Sequence, residues 1–260
     1  MSSDGTERFR YTLVGCGGQK RDCRNTLAYN LYTSGWFRWN RAYALWCGDF
    51  QSILSAKGVI PWIAYFEPYD LRITDSGFKG EDEPNHDSVV DWADYVADHV
   101  DETIHYHTDE DAIEIVVLHA QSYVNLLRDR LADVAANYDA VDVTIRYPFD
   151  DTGGNGQQMH WAREQVAAER GADPDDLELN ALFCDSCERA ARNAKVYPPG
   201  RVTSPGSGMA PEWWTADGAW LCESCRELTD GDAEPVDIET PNPEGHPPDE
   251  IQATFGRWSA

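Results

Sequence analysis

The sequence predicts an α/β fold, a three-layer sandwich built on a mostly parallel sheet, followed by a small C-terminal four-cysteine zinc domain. Three observations predict it. Short apolar runs alternate with stretches of helical periodicity between residues 11 and 169, which is the pattern of strands wound against helices. The strand runs are continuous in polarity and do not alternate, as expected of strands covered on both faces. Two C-x-x-C pairs, Cys184/Cys187 and Cys222/Cys225, stand apart from the scattered Cys16, Cys23 and Cys47.

The elements follow in order. Residues 11–16 read as a buried strand ending at glycine, and 36–47 as a helix with Arg38 and Arg41 on a separate face. Residues 50–56 read as a second strand, followed by an irregular aromatic stretch to Pro68-Tyr69-Asp70 and a polar break at 78–87. A helix is expected from Ser88 to His105 with Asp87 as its N-cap, because a short side-chain oxygen there satisfies an orphan amide. Strands at 113–120 and 141–147 and helices at 122–136 and 157–169 complete the domain, placed at 9–170. The zinc domain is placed at 178–230, and the acidic, Pro-rich tail at 231–260 is expected to be mostly disordered.

Composition limits the function. Hydrophobic residues make up 42% of the 260 residues and aromatics 12%, which excludes a wholly disordered chain. No apolar run reaches the roughly 20 residues that span a bilayer, and the first ten residues are polar, so the chain reads as soluble, cytoplasmic and without a membrane partner. Asp and Glu outnumber Lys and Arg 46 to 21, giving a formal charge of −25; a surface this acidic fits adaptation to high salt and says little about partners. Residues 1–80 nevertheless carry ten bases and seven acids. Those bases either serve a ligand or lie along a helix surface with their stems buried.

The cysteine quartet has the spacing of a metal site. The near-copies F-C-D-S-C-E-R and L-C-E-S-C-R-E lie with 34 residues between the inner cysteines. Four thiolates suit tetrahedral zinc and leave no open coordination position, so the Zn2+ is expected to be structural. The arrangement resembles a zinc ribbon or treble clef. Trp213 and Trp214, between the pairs, would either fill that small core or form a binding surface.

The stretch G-C-G-G-Q-K (15–20) lacks the hydroxyl residue of a P-loop after Lys20 and fails the dinucleotide fingerprint. With L-Y-T-S-G-W-F, I-L-S-A-K-G, P-Y-D and G-N-G-Q-Q-M-H-W it forms an ordered series of motifs. The series resembles an uncharacterised family of small intracellular and phage-encoded proteins, a domain of unknown function marked by G-C-G-x-x-K, Y-x-S-x-x-F, L-S-A-K-[YH]-G and P-Y-D. The likeness covers roughly residues 9–165. It implies a three-layer α/β fold and no established reaction. The chain departs from the pattern at Gly58, which follows Lys57 directly, and at His119-Ala120-Gln121-Ser122-Tyr123, where a glycine turn is usual. The spacing of Cys16, Lys20, Tyr32 and Ser34 is also similar, more weakly, to the core domain of archaeosine synthases, and that likeness implies lysine attack on a nitrile; the proline of that pattern is missing.

In a parallel sheet these motifs share the carboxyl edge of the strands, where ligands bind. The expected site comprises Lys20, Lys57, Cys16 and Asp70 as chemical groups, with Gly15, Gly17, Gly18, Tyr32, Ser34, Ser55, Tyr69 and Gln157 lining it. Two adjacent ammoniums would lower one another's pKa and make a nucleophile, or together hold a phosphate or carboxylate. Cys16 is either a nucleophile or a small buried residue, His119 either an acid–base group or structural, and Asp150 and Asp151 either ligands or solvated surface. Three functions remain open: binding or modifying a nucleotide or modified nucleobase, a nucleic-acid-binding accessory role using the zinc domain and N-terminal bases, and a protein-interaction module.

Overall fold

The computed structural model describes residues 8–21, 26–177 and 179, together with the backbone of three short strands at 195–196, 212–214 and 221–222. The apolar run after Arg8 forms β1 (Arg8–Gly15), and the next such runs form β3 (Phe50–Ser55), β8 (Ala112–Leu118) and β9 (Asp142–Arg146). These four are parallel in the order β3-β1-β8-β9, and β4 (Gly58–Pro61) adds antiparallel to β3 at one edge. The chain leaves β1 towards β3 and later returns to the other side of β1, so the order reverses between β1 and β8. Such a reversal opens a crevice at the carboxyl ends of the strands.

Helices cover both faces. In β8, Ile113, Ile115 and Val117 join one core cluster with Trp92, Val96 and Val100 of α3 (Val89–Tyr106) and Leu127 of α4 (Gln121–Ala136). Val116 and Leu118 join another with Ala42, Tyr43 and Trp46 of α2 (Gly35–Cys47) and Val166 of α5 (Asn155–Arg170). Alternate residues of one strand thus serve different helix pairs, which is why β8 is buried at every position and apolar at all but Glu114. Among the described residues no helix is long and apolar enough to cross a membrane.

Several details differ from the sequence reading. The N-cap of α3 is Ser88, whose Oγ accepts from Asp91 N at 3.1 Å, and Asp87 lies one residue outside. The aromatic stretch contains β4 and β5 (Tyr65–Phe66), the latter paired with β2 (Thr26–Leu27), which leads into the single turn α1 (Ala28–Leu31). The polar break begins inside a hairpin, β6 (Leu71–Thr74) with β7 (Gly77–Gly80). Gly80, at φ +148°, is required there, because a Cβ would lie 1.9 Å from the Asp70 carbonyl. Strands β10 (Lys195–Val196), β11 (Glu212–Trp214) and β12 (Leu221–Cys222) form a separate small sheet in which Trp213 lies opposite Cys222. Cys184, Cys187, Cys225, Cys23 and the acidic tail lie outside the described residues.

One buried charge cluster pins the amino end of the sheet. Glu114 of β8 is 2% exposed and lies opposite Arg10 of β1, which donates to its carboxylate. Arg8 and Arg146 reach the same carboxylate at 3.4 and 3.2 Å. Arg10 also donates to the Cys47 carbonyl, placing a cation at the C-terminal end of α2. Two of the N-terminal bases are therefore structural, as is Arg41, which is 2% exposed and reaches the Tyr29 carbonyl at 3.5 Å. Burial alone would raise the Glu114 pKa, but the Arg10 hydrogen bond and the charges of Arg10 and Arg146 outweigh it and hold the carboxyl below its usual range. Its stabilisation is present above the unfolded value and lost as pH falls through the folded one. Glu114→Gln is expected to cost about 1.5–3 kcal/mol by chemical denaturation, the range for hydrogen bonds to charged groups, and to flatten the loss of stability below pH ~4.5. A cost under about 0.5 kcal/mol, typical of ordinary surface changes, would contradict this role.

Candidate functional site

Gly15 ends β1 at the point of strand reversal, and the absence of a side chain there is used. A Cβ on Gly15 would meet the Leu118 carbonyl at 2.7 Å and the His119 ring at 2.9 Å. The imidazole of His119 lies over this glycine and stacks on Tyr123 with centroids 3.7 Å apart. Its Nδ1 accepts from Ala120 N at 2.7 Å. Burial lowers the His119 pKa from the ordinary 6.5 to about 3, so at neutral pH the ring is an uncharged floor and not a proton donor of the imidazolium type. The next glycine, Gly17, makes room for Ser34, whose Oγ would lie 2.9 Å from a Cβ. Ser34 caps α2, accepting from Phe37 N at 3.2 Å. Gly18 has nothing within 4 Å of its Cβ position and faces open space. None of these three glycines has positive φ, so the motif is a series of close approaches and not a left-handed anion nest.

After the glycines the chain pairs with the end of α1. Thr33 N donates to the Gln19 carbonyl at 3.1 Å and Arg21 N to the Leu31 carbonyl at 2.8 Å, leaving Lys20 and Tyr32 as an antiparallel bridge between these bonds. Such a non-hydrogen-bonded pair brings its side chains close together. The Lys20 ammonium accordingly lies 5.8 Å from the Tyr32 ring and 4.2 Å from that of Tyr69. It makes no ion pair among the described residues.

Tyr69 ties the site together. Its hydroxyl lies 2.7 Å from the Tyr32 hydroxyl and 2.6 Å from Ser55 Oγ, and Ser55 Oγ also accepts from Lys57 N at 3.0 Å. Burial raises the pKa of both tyrosines well above 10, so both remain protonated. Cys16 stands beside this chain: burial raises its thiol, against a Tyr69 hydrogen bond and the Lys20 charge, which pull it down. Its amide is bonded to the Leu54 carbonyl at 2.9 Å. Cys16, Lys20, Tyr32, Ser55 and Tyr69 are thus brought to one place from four separate stretches of sequence.

Two adjoining open depressions meet at Tyr69. The first, about 540 Å³, is lined by Gly18, Lys20, Arg21, Asp70, Glu81 and Asp82; the second, about 390 Å³, by Lys57, Tyr65, Phe66, Glu67, Asp82 and Asn85. Pro68, Tyr69 and Asp82 are common to both. Lys57 is therefore across Tyr69 from Lys20, and its ammonium donates to the Glu83 carbonyl. Asp70 lines the first depression without an ion pair to either lysine among the described residues. Gln157 is used locally, accepting from Gly153 N, while Gln158 accepts from Trp36 Nε1 at 2.7 Å. Asp150 is held by Arg128 at 2.7 and 2.9 Å. Among the described residues no group of three or more His, Cys, Asp or Glu is placed to hold a metal.

The sequence reading named Tyr123 only as a departure from the family pattern and 81–85 only as part of a polar break, and it assigned neither these nor Tyr65 to the site. Tyr123 could have been flagged, because Ile73 N donates to its hydroxyl at 2.9 Å and so joins the hairpin to α4, and L-R-I-T-D-S-G-F has the alternation and turn residues of a hairpin. The acidic wall carried no such signal. Gly15→Ala should cost about 1–3 kcal/mol through overpacking, while Gly18→Ala stays within about 0.5 kcal/mol of wild type; equal effects would refute the packing account. His119 and His99 both have pKa values lowered by burial. Their depressed values mean that stability is complete above the unfolded value and declines as pH falls below it. His119→Gln should therefore flatten the dependence of Tm on pH between about 6.5 and 4.5, where carboxylates contribute little; an unchanged slope would contradict a buried neutral imidazole.

Comparison with known proteins gives a family and no activity. No curated protein matches the chain, and no solved structure does. The model of a family of unknown function, DUF6884, matches residues 11–164. That span runs from within β1 to within α5 and includes every residue of the Tyr69 site. The chain belongs to this family of unknown function, DUF6884.

Proposed function

We propose that the strand-end site of the α/β domain holds a nucleotide or modified nucleobase, with Lys20 as the group that meets it. The observation that carries this reading is the placement of the Lys20 ammonium. It rests 4.2 Å from the Tyr69 ring at the edge of an open depression, with no carboxylate partner among the described residues. A cation held by aromatic faces keeps most of its capacity to bind an acceptor, because the ring supplies only about 0.5–2 kcal/mol. The hydroxyls of Tyr32, Tyr69 and Ser55 set that position by fixing the ring beneath it. Cys16 and the same hydroxyls would supply proton transfer or a nucleophile if the ligand is modified. Nucleic-acid binding through the N-terminal bases gains less support, since Arg10 and Arg41 are engaged inside the protein.

Lys20→Ala should weaken binding of a nucleotide or nucleobase by about 10–100-fold, the equivalent of one charge-assisted hydrogen bond, with Tm unchanged. Lys57→Ala should act less strongly, because its ammonium already serves the Glu83 carbonyl. Calorimetric titration of the three proteins checks this, and equal affinities for wild type and Lys20→Ala would refute the assignment.

The four cysteines Cys184, Cys187, Cys222 and Cys225 are proposed to hold one structural zinc ion, on the strength of their two C-x-x-C spacings. Elemental analysis should find one zinc per chain, lost in Cys222→Ser. A metal-free wild-type protein would overturn the proposal.

A further inference from the structure

The rim of the Tyr69 site narrows the class of ligand, on the reading that it takes a nucleotide or nucleobase. Three cations stand there, Lys20 and Arg21 in one depression and Lys57 in the other. Two are engaged: Arg21 Nε donates to the Asn30 carbonyl at 2.8 Å, and Lys57 Nζ donates to the Glu83 carbonyl. Lys20 alone keeps an ammonium with neither a carbonyl nor a carboxylate acceptor among the described residues. Asp70, Glu81 and Asp82 line its depression, and Glu67 lines the adjoining one. A triphosphate carrying about four negative charges would meet four carboxylates against three cations, two of which already donate to carbonyls, so the rim as a whole disfavours its approach.

The backbone after β1 forms no left-handed nest for a polyphosphate. The glycines after β1 have no positive φ, and the amides of Cys16 and Arg21 are spent on the Leu54 and Leu31 carbonyls. At the start of α2, Ser34 Oγ takes up the Phe37 amide that an anion would use, and the start of α5 lines neither depression. What the rim does offer is different in kind. Carboxylates only accept, so they pair with N–H edges. Tyr65, 62% exposed, presents a free aromatic surface on which a flat ring can stack.

We infer that the ligand is an uncharged, amino-bearing heterocycle, a nucleobase or nucleoside without phosphate, held by stacking on Tyr65 and by donation of its N–H groups to the rim carboxylates. Lys20 then meets a ring nitrogen or carbonyl acceptor of the same base. The test is a calorimetric titration of the full chain, at one ionic strength, with adenosine, guanosine, cytidine and uridine and with their 5′-triphosphates. At least one of the three amino-bearing nucleosides should bind at least tenfold tighter than its triphosphate and than uridine. In the double variant Asp70→Asn/Glu81→Gln the gap between nucleoside and triphosphate should shrink at least threefold. Triphosphates binding as tightly as nucleosides would overturn the inference while leaving nucleotide binding intact, and an unchanged gap in the double variant would do the same. Uridine binding as tightly as the others would overturn the N–H recognition. No binding by any of these ligands would overturn both the inference and the reading on which it rests.

Discussion

The Tyr69 hydroxyl, shared between Ser55 at 2.6 Å and Tyr32 at 2.7 Å, is the contact on which the candidate site depends. Ser55 ends β3, Tyr32 follows α1, and Tyr69 belongs to the segment between β5 and β6. The strands β3, β5 and β6 belong to three different sheets and α1 is a helix, so no common ladder joins them. The hydroxyl chain joins them at one point, 8% exposed or less at each member. Buried hydroxyls are costly when unpaired, so the chain favours the one arrangement in which all three are satisfied. That arrangement also fixes the ring on which Lys20 rests.

The remainder of the fold supplies the setting. Strand reversal between β1 and β8 opens the carboxyl edge, and Gly15 lets His119 close its floor with an uncharged ring. At the opposite end of the sheet, Glu114 gathers three arginines from β1 and β9. The two ends use charge in contrasting ways. At the amino end the cations are neutralised by a buried acid, whereas at the carboxyl end Lys20 is left with aromatic neighbours.

The parallel sheet and its helices were legible because they are encoded locally. A strand covered on both faces must be apolar throughout, as in I-E-I-V-V-L, where the one acid, Glu114, is the exception that the arginines explain. The edge hairpins were not legible from apolar runs, since β4, β6 and β7 are four residues each and β4 and β7 open on glycines at positive φ, Gly58 and Gly77. Lys20, Tyr32, Ser55, Tyr69 and Cys16 could be gathered from the sequence because each stands at the end of an element or in a short motif. The roles of Lys57 and Gln157 could not, because they depend on the carbonyl of Glu83 and the amide of Gly153, contacts set by loop packing. The acidic pair Glu81 and Asp82 was hidden for another reason: in a chain with 46 acidic residues, two of them carry no signal until they are seen in one depression with Lys20.

The central claim is that Lys20, held against Tyr69, meets a small heterocyclic ligand. Untargeted mass spectrometry of small molecules released from purified wild-type and Lys20→Ala proteins tests it most directly, since the ligand need not be chosen beforehand. The account predicts a nitrogen heterocycle that accompanies wild type and is depleted at least tenfold in the variant. The same small molecules at equal abundance in both proteins would contradict it.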